Sequence, residues 1–347
     1  MSKFGLWWIR WDGNFGSYVS RMTLGGREPT SYYEAVRWFK NRGFDRVVLL
    51  DGEGRGINYT GNGYEDGRYL ALWVMSHISS IKYYVTIPFS YGSGELRDNP
   101  SEGFANSYWR GWIDGVLSVV DSNRLGFYWS YESCLQATPH DEAHVTEEFI
   151  REMSRYIHSY DQELIWIPAT GSRTSVRGVS YLNDPDYDGI LAIGGYFDYV
   201  FVQPNYYEYS RVDEKGNPNL PYTYEKLVEK IRWIHGELPK KIKEHNPNST
   251  TTVSIEMEAD RTVLGIHCTR SRDCPKGMKC DSDIHTCYEH CRDHHSHKAI
   301  DYALDYVRAL KDIDWNPSDL AYYFSTDFEV IDTLQEQCWR ELNEPYV

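Results

Sequence analysis

The sequence predicts an α/β protein, a (β/α)8 TIM barrel, on three observations. Eight short runs rich in apolar, β-branched and aromatic residues each lead into a helical pattern, spread over the whole chain. The 347 residues fall within the roughly 200 to over 400 that such barrels occupy. No glycine-rich phosphate loop follows the first run, where an open doubly wound sheet usually carries one.

The predicted strands are Lys3–Trp11, Arg46–Asp51, Tyr83–Phe89, Leu125–Tyr131, Leu164–Ala169, Tyr199–Pro204, Thr252–Met257 and Leu320–Ser325. The first helix is expected to open with the capping box Ser31-Tyr32-Tyr33-Glu34 and to stop before Gly43. The fourth opens at Thr138-Pro139, a cap followed by a first-turn proline, and sets Val145, Phe149, Met153 and Ile157 on one face. The fifth is short, around Tyr187–Gly194. The sixth repeats the spacing with Leu227, Ile231, Ile234 and Leu238, and the seventh with Ile300, Leu304, Val307 and Leu310. A long loop, 259–297, separates strand seven from its helix and holds five of the seven cysteines. The expected organisation is one catalytic barrel over 1–347 with this cysteine-rich loop inserted in it.

Composition narrows the function. Hydrophobic residues make up 41% and charged residues 25%, the balance of a globular chain. The net charge of −15 argues against nucleic acid or an anionic membrane as partner, since both need a basic surface. No apolar run reaches the roughly 18 residues of a membrane span. The 29 Tyr, 12 Trp and 12 Phe supply many flat amphipathic faces. A carbohydrate partner and a monomer are expected.

A barrel carries its active site at the C-terminal ends of its strands. Strand seven ends Val253-Ser254-Ile255-Glu256-Met257-Glu258, and its apolar face, Val253, Ile255 and Met257, must meet the helices. Glu256 and Glu258 are left pointing into the mouth. The same alternation turns Tyr128, Ser130 and Glu132 inward on strand four. Buried carboxylates are costly unless paired or used. Two of them across an aromatic mouth suit glycoside hydrolysis, in which one carboxyl delivers a proton and the other attacks the sugar or activates water.

On these residues the chain resembles the superfamily of (β/α)8 glycoside hydrolases with the acid/base glutamate on strand four and the nucleophile on strand seven, and also barrel families of unknown function. The resemblance implies Glu132 as acid/base and Glu256 or Glu258 as nucleophile, Val-Ser-Ile-Glu being similar to the family's strand-seven ending. Tyr131 stands where those enzymes usually have Asn.

Trp8, Trp11, Asp51, Tyr91, Tyr128, Trp129, Asn205, Tyr206 and Asp327 lie at or near the predicted mouth and are the expected sugar contacts, aromatic rings matching the C–H faces of sugars. Asp51-Gly52-Glu53-Gly54-Arg55-Gly56 matches neither the dinucleotide nor the P-loop spacing. None of the 12 His falls in a predicted strand, and no Gly-x-Ser-x-Gly elbow occurs. Neither a metal nor a cofactor is therefore expected.

The insertion reads Cys268-x5-Cys274-Pro275-x-Gly277-x2-Cys280-x6-Cys287-x3-Cys291. The gaps are too wide for structural zinc and resemble the small disulfide knots of secreted proteins. Two disulfides among Cys268, Cys274, Cys280 and Cys287 are expected, with Cys291 within reach of Cys134 or Cys338. The expectation is a secreted glycoside hydrolase acting on a poly- or oligosaccharide with retention. Its rival is a non-catalytic carbohydrate-binding barrel.

Overall fold

The computed structural model describes residues 2–50, 56–78, 80–88, 91–92, 95–132, 145–169, 189–209, 221–292 and 296–347. Eight parallel strands form the centre: β1 (Ser2–Asp12), β2 (Arg46–Leu50), β3 (Lys82–Ile87), β4 (Arg124–Trp129), β5 (Glu163–Trp166), β6 (Tyr199–Val202), β7 (Thr252–Glu258) and β8 (Asp319–Tyr323). Each pairs with the next in sequence, and β1 also pairs with β8, Ser2 opposite Asp319 through Gly5 opposite Tyr322. That last ladder closes the sheet into a barrel. Every predicted strand is present.

Alternation along the strands sorts the side chains. Phe4, Leu6, Val48, Tyr84, Ile165 and Phe201 fill the interior. Trp7, Val47, Val85, Phe127, Ile255 and Met257 face outward into a second layer of core beneath the helices. At the N-terminal end of the barrel the Tyr84 hydroxyl donates to Glu163, and the Arg46 guanidinium lies 4.9 Å from the centre of the Phe4 ring.

The helices are α1 (Tyr32–Asn41), α2 (Gly63–His77), α3 (Tyr108–Leu117), α4 (Glu147–His158), α5 (Gly189–Gly194), α6 (Tyr224–Gly236), α7 (Leu238–His245), α8 (Ala299–Asp312) and α9 (Glu329–Leu342). Several boundaries differ from expectation for local reasons. Ser31 caps α1 through the Glu34 N–H, but the Glu34 carboxylate reaches one residue further back, to the Thr30 N–H and hydroxyl. Thr146 caps α4, and Thr138-Pro139 lies outside the described residues. Val145, Phe149, Met153 and Ile157 are buried as expected. The single sixth helix is two, because α6 ends at Gly236 and Pro239 restarts the chain in the first turn of α7.

Two additions to the barrel matter for the site. The upper half of β1, Ile9–Asp12, leaves the barrel and pairs antiparallel with Ser17–Ser20, a hairpin the sequence reading did not include. The insertion is stapled by Cys268–Cys280 and Cys274–Cys287. It contains a ribbon, Lys279–Asp281 against Thr286–Tyr288, and a small core of its own in which Met278 packs with the cystines. Cys338 stays a thiol buried in the main core, so the expected reach from Cys291 to Cys338 is not made, and Cys134 lies outside the described residues.

Helices α2 and α3 pack through glycines. A Cβ at Gly67 would fall 2.2 Å from the Trp112 carbonyl oxygen, and one at Gly115 would fall 2.0 Å from that of Tyr64. Neither backbone oxygen can move without its helix. Gly115→Ala should therefore destabilise the protein by roughly 1–3 kcal/mol despite the better helix propensity of alanine, the cost of overpacking. Urea unfolding checks this, and an unchanged or raised midpoint would refute it.

Candidate active site

Strand β7 places its carboxylates by alternation. Ile255 and Met257 are fully buried against the helices, and Ser254, Glu256 and Glu258 turn inward. The Ser254 hydroxyl donates to the Asp319 carbonyl (2.6 Å), and above it the two glutamates enter a cavity of about 220 Å3 in the barrel mouth. Leu6, Trp8, Leu50, Tyr128, Ile167 and Tyr323 form its apolar and aromatic lining. Glu132, Gln203, Glu208, Glu256, Glu258 and His290 supply its polar groups. Glu132 from the end of β4 and Glu256 from β7 thus share one cavity.

The two β7 glutamates are buried but differently served. Glu258 accepts from the Asn205 N–H (2.7 Å) and the Tyr306 hydroxyl (2.5 Å). Burial and the charge of Glu208 push it up to about 7, against the pull of those two donors and of Lys230. Glu256 has no hydrogen bond among the described residues. Burial pushes its carboxyl well above the ordinary range, and the charges of Glu258, Glu132 and Glu208 add to that push. Lys230 of α6 is itself fully buried, its Nζ donating to the Pro204 carbonyl, and burial lowers its ammonium to about 7. The Trp8 indole N–H is buried in the cavity wall with no acceptor among the described residues.

A polar shell ties the insertion to this cavity. Asp260, two residues beyond Glu258 and fully buried, accepts from the Tyr207 hydroxyl (2.8 Å), the Thr262 N–H (2.8 Å) and the His290 N–H (2.6 Å). The last bond holds His290 at the cavity three residues after the Cys287 crosslink. Arg292 donates to the Tyr222 carbonyl (2.8 Å) and lies within 5.0 Å of the ring centres of Tyr206, Tyr209 and Tyr302.

Of the expected sugar contacts, Trp8 and Tyr128 line the cavity. Asn205, held at φ +54°, serves it through its backbone bond to Glu258. The other described ones do not line this cavity. Trp129 alternates outward, buried and stacked on Tyr131. Trp11 lies in the hairpin and packs edge-on against Tyr18 and Tyr69. Tyr206 is buried behind the site, its hydroxyl donating to Asp305 on α8. Asp327 accepts from the Thr23 hydroxyl and the N–H groups of Gly25, Gly26 and Glu329, pinning the loop after β1. Asp51 and the Tyr91 side chain lie outside the described residues. Glu208, Gln203, His290, Tyr306 and Lys230 join the site from outside the expected residues. Gln203 stood in a predicted strand end, whereas Tyr306 and Lys230 sit on helices and carry no local signal. Among the described residues, the one cluster with metal-binding spacing is Cys268, Cys274 and Cys287, whose sulfurs are consumed by the disulfides.

No protein-family profile matches the chain. It is 31% identical over 389 residues to the uncharacterized protein MJ0957 of Methanocaldococcus jannaschii, covering 96% of this chain and 91% of that one. The chain belongs to the family of that archaeal protein. Among solved structures it is similar to a class V chitinase from Pseudomonas fluorescens Pf-5, at TM-score 0.44 and 13% identity, covering 95% of this chain and 98% of that one. It is also similar to the GH18 chitinase ChiB of Flavobacterium johnsoniae, at TM-score 0.43 and 12% identity, covering 97% and 94%.

The Glu258 carboxyl gives stability a defined pH slope. Between its ordinary 4.5 and about 7 the unfolded chain releases this proton while the folded chain keeps it, so stability falls as pH rises through that window. Glu258→Gln should remove that contribution, on the order of 3 kcal/mol between the two ends of the window. Urea unfolding of both proteins across the window checks it, and parallel curves would refute it.

Proposed function

We propose that the chain is a glycoside hydrolase whose bond cleavage is shared by Glu256 and Glu132. The observation that carries this reading is the Glu256 carboxyl, buried with no hydrogen bond among the described residues, beside three other glutamates in a cavity walled by Trp8, Tyr128 and Tyr323. Burial and the neighbouring charges favour the protonated form of this carboxyl, which is what a general acid needs. Glu256 gives that proton to the glycosidic oxygen as the C–O bond breaks. Glu132, less buried, supplies the ionised carboxylate that attacks the anomeric carbon in a retaining sequence. This exchanges the roles implied by strand position alone, and burial is what supports the exchange. Glu258 is a positioning residue. Gripped by Asn205 and Tyr306, it holds a second carboxyl beside Glu256, whose charge once ionised raises Glu256's hold on its proton. The two disulfides support an extracellular setting, and among the described residues no helix is long and apolar enough to cross a membrane.

A hydrolysis screen over polysaccharides and aryl glycosides tests the reading. Glu256→Gln should lower turnover of natural linkages by about 10²–10⁴-fold, and of aryl glycosides with good leaving groups by less. Glu132→Ala should lose both, and azide should restore it with inverted product. Azide rescue of Glu256→Ala with inverted product instead would return the roles to those of strand position. Absence of turnover on every substrate would overturn the proposal.

A further inference from the structure

Beside the carboxylate cavity lies a second, larger hollow of about 850 Å3. One wall is the hairpin of β1, carrying Arg10, Phe15 and Arg21, and the other is the stapled insertion at Ile266 and Pro275–Gly277. Two contacts link the walls of the two hollows. Arg21 lines the groove and donates its N–H to the Trp8 carbonyl, and its guanidinium lies 5.4 Å from the centre of the Trp8 ring, which lines the cavity. Arg261 lines the groove and pairs at 2.6 Å with Glu289, the neighbour of His290 in the cavity.

We infer that this groove binds the extension of an uncharged glycan chain whose reacting unit occupies the carboxylate cavity. The inference rests on the glycoside hydrolase reading and names its substrate as a polymer. Volume is the first argument. The inner cavity falls below the roughly 300–1,000 Å3 of small-ligand sites and has room for little more than the unit being cleaved, whereas the groove falls within that range. Shape and chemistry are the second. Phe15, at the hairpin tip, is 78% exposed, a flat apolar face held over the groove where a sugar ring can stack. Arg10 and Lys276 on one side of the balance, Glu28 and Glu329 on the other, offer donors and acceptors of both signs, suited to hydroxyls rather than to a polyanion. The net charge of −15 repels a polyanionic glycan at long range as well. The disulfides then have a functional consequence, since they fix the wall opposite the hairpin without a large core.

Calorimetric titration of the Glu256→Gln protein tests this, using cello-, xylo-, chito- and laminari-oligosaccharides from dimer to hexamer. For the series that the wild-type protein cleaves, the hexamer should bind at least about tenfold tighter than the dimer, and added salt should change neither affinity by more than about twofold. The double variant Phe15→Ala/Lys276→Ala, altered only at exposed positions, should bring the hexamer-to-dimer ratio toward one. Equal affinities in the parent, a ratio unmoved by the double variant, or tight salt-sensitive binding of polygalacturonate would overturn the inference while leaving hydrolysis intact. Failure of the wild-type protein to cleave any glycan would overturn the hydrolase reading, and this inference with it.

Discussion

The ladder between β1 and β8 is the constraint on which everything else rests. Four residue pairs at the two ends of the chain turn an open twisted sheet into a barrel with no free edge. Closure gives the strands one enclosed face, filled by rings such as Phe4, Tyr84 and Phe201, and one face toward the helices, filled by Trp7, Phe127 and Met257. It also brings the C-terminal ends of β4 and β7, far apart in sequence, to the rim of one small cavity. Glu132 and Glu256 meet there because the sheet has closed.

Placing carboxyl groups in that cavity is expensive, and the surrounding residues show how the cost is met. Glu258 is satisfied by a backbone N–H, a tyrosine hydroxyl and a buried lysine drawn from three separate elements. Glu256 has no such partner among the described residues, and burial together with the charges of Glu258, Glu132 and Glu208 pushes its carboxyl well above the ordinary range. The same strand therefore carries two chemically identical side chains, two residues apart, both raised by burial but with different partners. Their difference comes from Asn205, Tyr306 and Lys230.

The cysteine-rich insertion belongs to this arrangement and is more than an ornament on it. It leaves β7 at Asp260, folds around two disulfides, and returns to bond the same aspartate through His290. Arg292 then anchors the chain among three tyrosines before α8 begins. A segment with so small a core could not hold one position beside the cavity without those crosslinks and that buried aspartate.

Local pattern was enough to read the eight strands, most of the helices and the inward turn of Glu132, Glu256 and Glu258, because alternation and helical spacing are properties of neighbouring residues. The cysteine gaps likewise pointed to disulfides, though not to which sulfur meets which. The sequence could not say that Trp129 turns outward into the core while Trp8 reaches the cavity, that Tyr206 is consumed by Asp305, or that Asp327 pins a loop. Those outcomes depend on which groups arrive from elsewhere in the chain. Tyr306, Lys230 and His290 lay invisible for the same reason: each serves Glu258 or its cavity across 28 residues or more, a distance that only the folded chain removes.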